Sequence, residues 1–380
     1  MKLRKLLPLM GALCACLCVS AQAETRCDIP PPPKPKPACP KPCPPPKGTY
    51  QRGMYREITP NAGPRVSCGA DVFLTADYIL WKLTQDGMVA AETGYIETAG
   101  TDATKGTELT PGFKFKSGFK VGLGLNLAHD GWDLFAEYTW LRSSTSDSIS
   151  ERENLSINLP GQRITISASE KVTNRQKHRY NVINLELGRN FYVSQFLMLR
   201  PHFGLSGTWQ KVRWRVDHRG NDLIGLNNLD INFQNGDLRK RNRNKYWGIG
   251  IRGGFDTAWH FTTQWSIFAD IAWTAMWSSY DLNRKVTFTG TEIVNNNEAQ
   301  VDNRLIQYTS PSKFYRVKFV GEFDLGVRWE MWFYDDNYHF AIQVGWSETV
   351  WINHMAFTSR FQRFEDMSLH GLDVKFRFDF

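Results

Sequence analysis

From residue 72 to residue 380, apolar and polar residues alternate with a period of two in segment after segment. The last segment is the most regular: Leu372, Val374, Phe376, Phe378 and Phe380 alternate with Asp373, Lys375, Arg377 and Asp379. Successive side chains of a β-strand point to opposite faces, so each such segment carries one apolar and one polar face. Val72, Leu74, Ala76, Tyr78 and Leu80 share a face. Trp247, Ile249, Ile251, Phe255 and Trp259 oppose Arg252 and Asp256. Trp265, Ile267, Ile271, Trp273 and Trp277 oppose Ser266, Asp270 and Thr274. Phe319, Phe323, Leu325, Val327 and Trp329 oppose Lys318, Glu322, Asp324, Arg328 and Glu330. Tryptophan recurs near the ends of the apolar faces, where an amphipathic indole sits at a bilayer interface. A final apolar strand is an aggregation hazard in water, and closure against the first strand removes it.

Hydrophobic residues make up 42% of the 380, and the mean hydropathy is −0.41. Helical membrane proteins do not average this low. A transmembrane barrel does, because only every second strand residue faces lipid. The formal charge of +8 would suit nucleic acid, but no recognition motif accompanies it. Nucleic acid is therefore not an expected partner.

Ten main strands are expected, at about 70–82, 115–128, 132–144, 179–191, 195–215, 245–259, 263–281, 315–332, 337–351 and 371–380. Long connections (83–114, 145–178, 216–244, 282–314 and 352–370) alternate with short ones at His129–Gly131, around Val193, at His260–Thr262 and at Tyr334–Asn337. Such a rhythm marks an up-and-down barrel with short periplasmic turns and long external loops. The segment 156–167, SINLPGQRITIS, reads as a hairpin outside lipid; if it joined the wall the count would become twelve. The expected fold is all-β, a transmembrane antiparallel up-and-down β-barrel over 70–380.

The first 69 residues read differently. Lys2, Arg4 and Lys5 precede an apolar run from Leu6 to Val19, and Ala21-Gln22-Ala23 supplies small residues at cleavage spacing. Residues 1–23 are therefore an expected signal peptide, and 24–69 a Pro/Cys-rich periplasmic segment. Cys27, Cys39, Cys43 and Cys68 remain after cleavage and are disulfide candidates in an oxidising compartment, with pairing within the chain or to other envelope proteins open. Prolines at 30–46 favour an extended spacer or tether. The expected location is the bacterial outer membrane.

Asp77-Tyr78-Ile79-Leu80-Trp81-Lys82 followed by Gln85-Asp86-Gly87 resembles the opening strand of the major outer-membrane protein family of Legionella and environmental chlamydiae. So do GFKVGLGLNL (118–127) running through Asp130-Gly131-Trp132 to Tyr138-Thr139-Trp140, FLMLRPHFGLSG (196–207) and WGIGIRGGFDTAW (247–259). The resemblance covers about 70–380 and implies an abundant outer-membrane protein with pore-forming activity. Cysteine-linked outer membranes are typical of the chlamydial relatives, although the segment at 27–48 has no counterpart in the family pattern. By analogy with bacterial barrels, Phe376, Phe378 and Phe380 are an expected signal to the barrel-assembly machinery.

Charges on the polar faces are the candidate selectivity residues of a lumen: Glu137, Arg252, Asp256, Asp270, Lys318, Glu322, Asp324 and Arg328, with Asp77, Glu186 and Glu330 beside them. Paired charges that only hold the barrel shape are the alternative. The basic run Arg239–Lys245 is placed in an external loop, solvated or touching lipopolysaccharide phosphates. Outer-membrane lipid and lipopolysaccharide are expected partners. No phosphate loop, zinc motif or nucleophile elbow occurs, so no cofactor or catalytic residue is expected. His354 and Asp366 are a weak candidate pair in an external loop. The expected function is passive diffusion of small hydrophilic solutes or ions through a porin-like barrel, with no enzymatic activity. The rival is a scaffold or adhesin acting through loops and a disulfide-linked stalk. About eight strands give a filled interior and about 16–18 an aqueous channel, so ten strands alone do not make a pore.

Overall fold

A computed structural model of the chain describes residues 66, 70–92, 107–127, 131–150, 155–159, 162–166, 169–220, 224–225, 232–294, 299–333, 338–357 and 363–380. All four cysteines expected to remain after cleavage lie outside these residues. Ten long strands form the wall: β1 Ala70–Gln85, β2 Phe115–Leu127, β3 Trp132–Ile149, β4 Ser169–Arg189, β5 Leu197–Gly220, β6 Asn232–His260, β7 Trp265–Val294, β8 Ala299–Phe333, β9 Tyr338–Phe357 and β10 Arg363–Asp379. Each pairs antiparallel with its neighbours in sequence, and β10 pairs with β1 from Asp379↔Phe73 to Met367↔Gln85. The sheet is a closed ten-stranded up-and-down barrel. Residues 155–159 and 162–166 do form a hairpin, but in a separate small sheet with Ala91–Glu92 and Glu108–Leu109. The twelve-stranded wall is not adopted.

The alternation sets the faces as the sequence requires. Leu74, Leu123, Ile251, Trp273, Phe323, Leu325 and Val344 point outward and are exposed, as lipid-facing groups must be. Between Trp247 and Trp259 on β6, and between Trp265 and Trp277 on β7, twelve residue steps at about 3.3 Å and a tilt near 40° span about 30 Å, the thickness of a hydrocarbon core. At the outer edge the aromatic side chains form a belt. Phe119 stacks on Trp140 at 5.2 Å, Tyr138 on Trp209 at 5.9 Å and Trp277 on Tyr315 at 5.3 Å, and Trp247 meets Trp277 edge-on at 5.5 Å.

On the outer side the strands continue well past this belt. β6, β7 and β8 run for 29, 30 and 35 residues. Much of 145–178, 216–244, 282–314 and 352–370 is thus strand rather than loop. Outward apolar residues become rare there because water, not lipid, touches the outer face. Backbone pairing continues because a register fixed within the bilayer carries on into the hairpin.

Near the seam between the first and last strands one buried carboxylate ties β10 to β2 and β9. Asp379 is fully buried and accepts from Asn126 Nδ2 at 2.9 Å on β2 and from Arg377 at 2.7 and 2.9 Å, while His339 Nδ1 on β9 lies 2.7 Å away. Beyond it Phe380 N donates to Val72 O at 3.0 Å. Replacing Asp379 with Leu strands Arg377 without its counter-charge in a buried seam and leaves His339 only the Glu330 carboxylate, 3.4 Å away. We expect Asp379→Leu to lower stability by about 3 kcal/mol, measured as a shifted urea midpoint in detergent, with Asp71→Asn at the half-buried strand start near neutral as the control.

Candidate functional site: the lumen

The side chains that point inward divide the lumen into two layers of opposite character. The layer on the periplasmic half is charged. Arg200 on β5 is its hub: its guanidinium donates to Asp133 at 2.5 and 2.9 Å, to Asp256 at 2.6 Å and to Glu186 at 3.4 Å. Arg252 on β6 donates to Glu186 at 2.7 Å and clasps both oxygens of Glu322 at 2.6 and 3.0 Å. The planar guanidinium suits such forked contacts. The chain Asp133–Arg200–Glu186–Arg252–Glu322 thereby links β3, β5, β4, β6 and β8 across the lumen. A second group completes the ring: Lys120 lies 2.7 Å from Asp373, and Lys375 lies 3.7 Å from Asp77 and 3.5 Å from Glu137.

These groups surround a cavity of about 130 Å³, which gives room for several water molecules. Of the eight lumen residues expected from sequence, Glu137, Arg252, Asp256, Asp270, Glu322, Asp324 and Arg328 line it. Asp256, Asp270 and Asp324 form a cross-strand row on β6, β7 and β8. Lys318 does not belong to this layer. It points inward from β8, but its ammonium donates to the backbone carbonyl of Asn353 and sits 5.5 Å from the Tyr280 ring. Face parity told which side Lys318 points to and not how far along the barrel it lies. Asp133, Arg200, Lys120 and Lys375 are functional-layer residues absent from the expected set. Counting back by twos from Phe203 and Leu205 would have turned Arg200 inward.

The outer half of the lumen is built around an apolar cluster. Ile79, Trp81, Leu83, Leu141, Tyr180, Val182, Tyr246, Met276, Tyr280, Leu282, Val320, Trp351, Met367 and Leu369 form one buried cluster drawn from eight of the ten strands. A bulge places a histidine in its middle. Asn353 has φ 53°, the pairing of β9 with β10 shifts register between Trp351 and Met355, and Asn353 N donates to Asp366 Oδ1 at 2.6 Å. The His354 ring then lies 4.6 Å from Tyr246 and 4.9 Å from Trp351, and its Nε2 is 3.1 Å from Gln210 Oε1 on β5. Gln210 also meets His178 Nε2 at 3.0 Å. His354 and Asp366 therefore do not face each other: one is buried in this septum, the other holds the bulge. Sequence reasoning missed the septum because β1 is apolar or aromatic on both faces from Tyr78 to Trp81, where alternation carries no signal.

Above the septum, the connection after β1 turns into the barrel mouth. Met88, Ala90, Ala91, Leu109 and Phe113 pack on Val172, Val212, Trp214 and Val216. Asn174 pins this connection by donating to Met88 O at 2.9 Å and Leu109 O at 3.2 Å, and accepts from Trp214 Nε1 at 2.8 Å.

The family model described as the Legionella pneumophila major outer membrane protein precursor matches residues 71–380. The chain belongs to this family. Its location is accordingly the outer membrane, and the matched span coincides with the barrel. In the family-like opening DYILWK, Asp77 faces the charged layer, Ile79 and Trp81 enter the septum, and Tyr78 turns to lipid with its hydroxyl 2.9 Å from Ser117 Oγ. Phe376 on β10 and Phe380 just after it are lipid-exposed. No curated protein matches the chain. Among solved structures it is similar to the outer membrane protease OmpT of Escherichia coli (11% identity, TM-score 0.36, covering 82% of this chain and 97% of that one). It is also similar to a Pseudomonas aeruginosa FadL homologue (9%, 0.26, 85% and 95%) and to the Pseudomonas putida toluene transporter TodX (10%, 0.20, 83% and 91%).

Removing Arg200 leaves Asp133, Glu186 and Asp256 without their shared cation. We expect Arg200→Met to lower stability by about 3 kcal/mol or more, read from urea unfolding in detergent. Arg200→Met/Asp133→Leu should recover part of that loss, since the closest stranded carboxylate is then gone.

Proposed function

We propose that this outer-membrane barrel is a channel for small hydrophilic solutes or ions, held shut by the aromatic septum. The observation that carries the reading is the contrast between the two lumen layers. A barrel used only as an anchor gains nothing from burying charges, because a buried ion pair is often no better than well-packed apolar groups. The outer half of this lumen is filled with apolar groups, yet the inner half keeps charges around a cavity. Conduction requires Trp351, Tyr246 and Tyr280 to move aside, as hydrophobic constrictions that gate by dewetting do. The row Asp256–Asp270–Asp324 favours cations. Export would proceed by removal of residues 1–23.

The rival reading is a scaffold or adhesin acting through the outer connections and cross-links at Cys27, Cys39, Cys43 and Cys68. The filled septum is the observation that favours it. Planar-bilayer recordings separate the two. Wild-type protein should give small or brief openings. Trp351→Ala/Tyr280→Ala should raise conductance severalfold, and Asp256→Asn/Asp270→Asn/Asp324→Asn should lower cation-over-anion permeability. A folded septum variant that carries no current would rule out the channel and leave the scaffold.

A further inference from the structure

The outer wall turns cationic immediately beyond the aromatic belt, on four adjacent strands. In the register of the sheet Arg142 on β3 faces Arg179 on β4, Arg179 faces Lys211 on β5, and Lys211 faces Lys245 on β6. One step further out Arg213 faces Arg243. The parity that points Trp140, Trp209 and Trp247 toward lipid points all six of these residues outward as well. Like charges placed directly opposite one another destabilise a sheet, and here three consecutive pairings, with a fourth one step further out, set cation against cation.

Counter-charges within the chain do not resolve this. Lys245 lies 3.6 Å from Asp281. Among the described residues Arg179, Lys211, Arg213 and Arg243 have no carboxylate within ion-pair distance. Lys211 is held below the ordinary lysine range by desolvation and by Arg213, Arg243, Arg179 and Lys245. Arg142 is fixed at the edge of the patch: it donates to Leu141 O and Tyr180 O at 3.0 Å each and to Asn181 Oδ1 at 3.1 Å, and lies 4.8 Å from the Trp140 ring. A fixed, mutually repelling cation array at headgroup depth is complementary to an anion carried by the membrane itself.

We propose that this face of β3–β6 binds a phosphorylated glycolipid of the outer leaflet. The acyl chains lie against Trp140, Trp209 and Trp247, and the phosphates bridge Arg179, Lys211, Arg243 and Lys245. Arginine and lysine both bind phosphate, arginine through its planar fork, and basic groups at a membrane surface hold anionic headgroups. The inference rests on the outer-membrane location alone and stands whether or not the lumen conducts.

The test uses the full chain in phosphatidylcholine nanodiscs containing either diphosphoryl lipid A or its dephosphorylated form, with bound glycolipid counted by native mass spectrometry. Diphosphoryl lipid A should bind, and the dephosphorylated form should bind at least about tenfold more weakly, a difference of about 1.4 kcal/mol. Arg179→Gln/Lys211→Gln/Arg243→Gln/Lys245→Gln should lose the preference. Lys82→Gln/Lys116→Gln/Lys171→Gln/Arg219→Gln, which removes the same charge elsewhere, should keep it. If the quadruple variant at the site does not fold, Arg243→Gln and Arg179→Gln singly should each weaken binding severalfold. Equal binding of the two lipids, equal loss in the control variant, or complete displacement by inorganic phosphate would each overturn the proposal.

Discussion

Lipid offers no hydrogen bonds, so every backbone N–H and C=O within the bilayer must find its partner inside the wall. In this chain that requirement is met by ten antiparallel pairings, the last of which joins β10 to β1. Much else follows from closure. Ten strands make a narrow cylinder, in which inward side chains from opposite walls come within contact distance. The lumen is therefore packed and electrostatically structured rather than an open bore. The burial of Asp379 at the seam shows the same constraint locally: charges that would be unfavourable alone are held in a fully partnered set of Asn126, His339 and Arg377.

Two solutions to filling the same cylinder coexist along its axis. On the periplasmic half, arginines fork between carboxylates of four other strands and leave a cavity between them. On the outer half, an apolar cluster drawn from eight strands surrounds the rings of Tyr246, Tyr280 and Trp351, which meet His354, carried inward by the Asn353 bulge. The first arrangement keeps polar groups where water can reach them; the second excludes water. A channel built this way is closed by packing, and its opening depends on how readily a few rings can leave their contacts. The bulge between Trp351 and Met355 matters here because it is a local irregularity in an otherwise regular ladder.

The outer surface follows a different logic. Within the hydrocarbon band the exposed residues are apolar and the belt at its edge is aromatic. Beyond the belt, the same outward parity presents arginine and lysine. On β6 this converts the basic run Arg239–Lys245 from a loop end into two faces: Arg239, Arg241, Arg243 and Lys245 point out, while Lys240 turns inward, buried, with its ammonium 4.5 Å from the Trp214 ring.

Periodicity alone determined the fold class, the turns at the periplasmic end and the outward or inward facing of nearly every membrane residue; it counted ten wall strands but left twelve open, and only the placement of the hairpin at 155–159 and 162–166 in a separate sheet decides between them. A one-residue slip would put every lipid-facing group inside, so the pattern admits one reading. It also picked out seven of the eight lumen residues that share a cavity, because parity is enough to find an inward charge. It could not place Lys318, the septum or the extended outer strands. Lys318 needed its position along the axis relative to other strands. Ile79, Trp81 and Leu83 needed a partner across the barrel to distinguish a filled lumen from a lipid face. The segments past the belt needed a neighbour to pair with, since their apolar residues, Val212, Trp214 and Val216 among them, face the mouth of the barrel and not lipid. Sequence period reports the face of a strand; only closure of the sheet decides which faces meet.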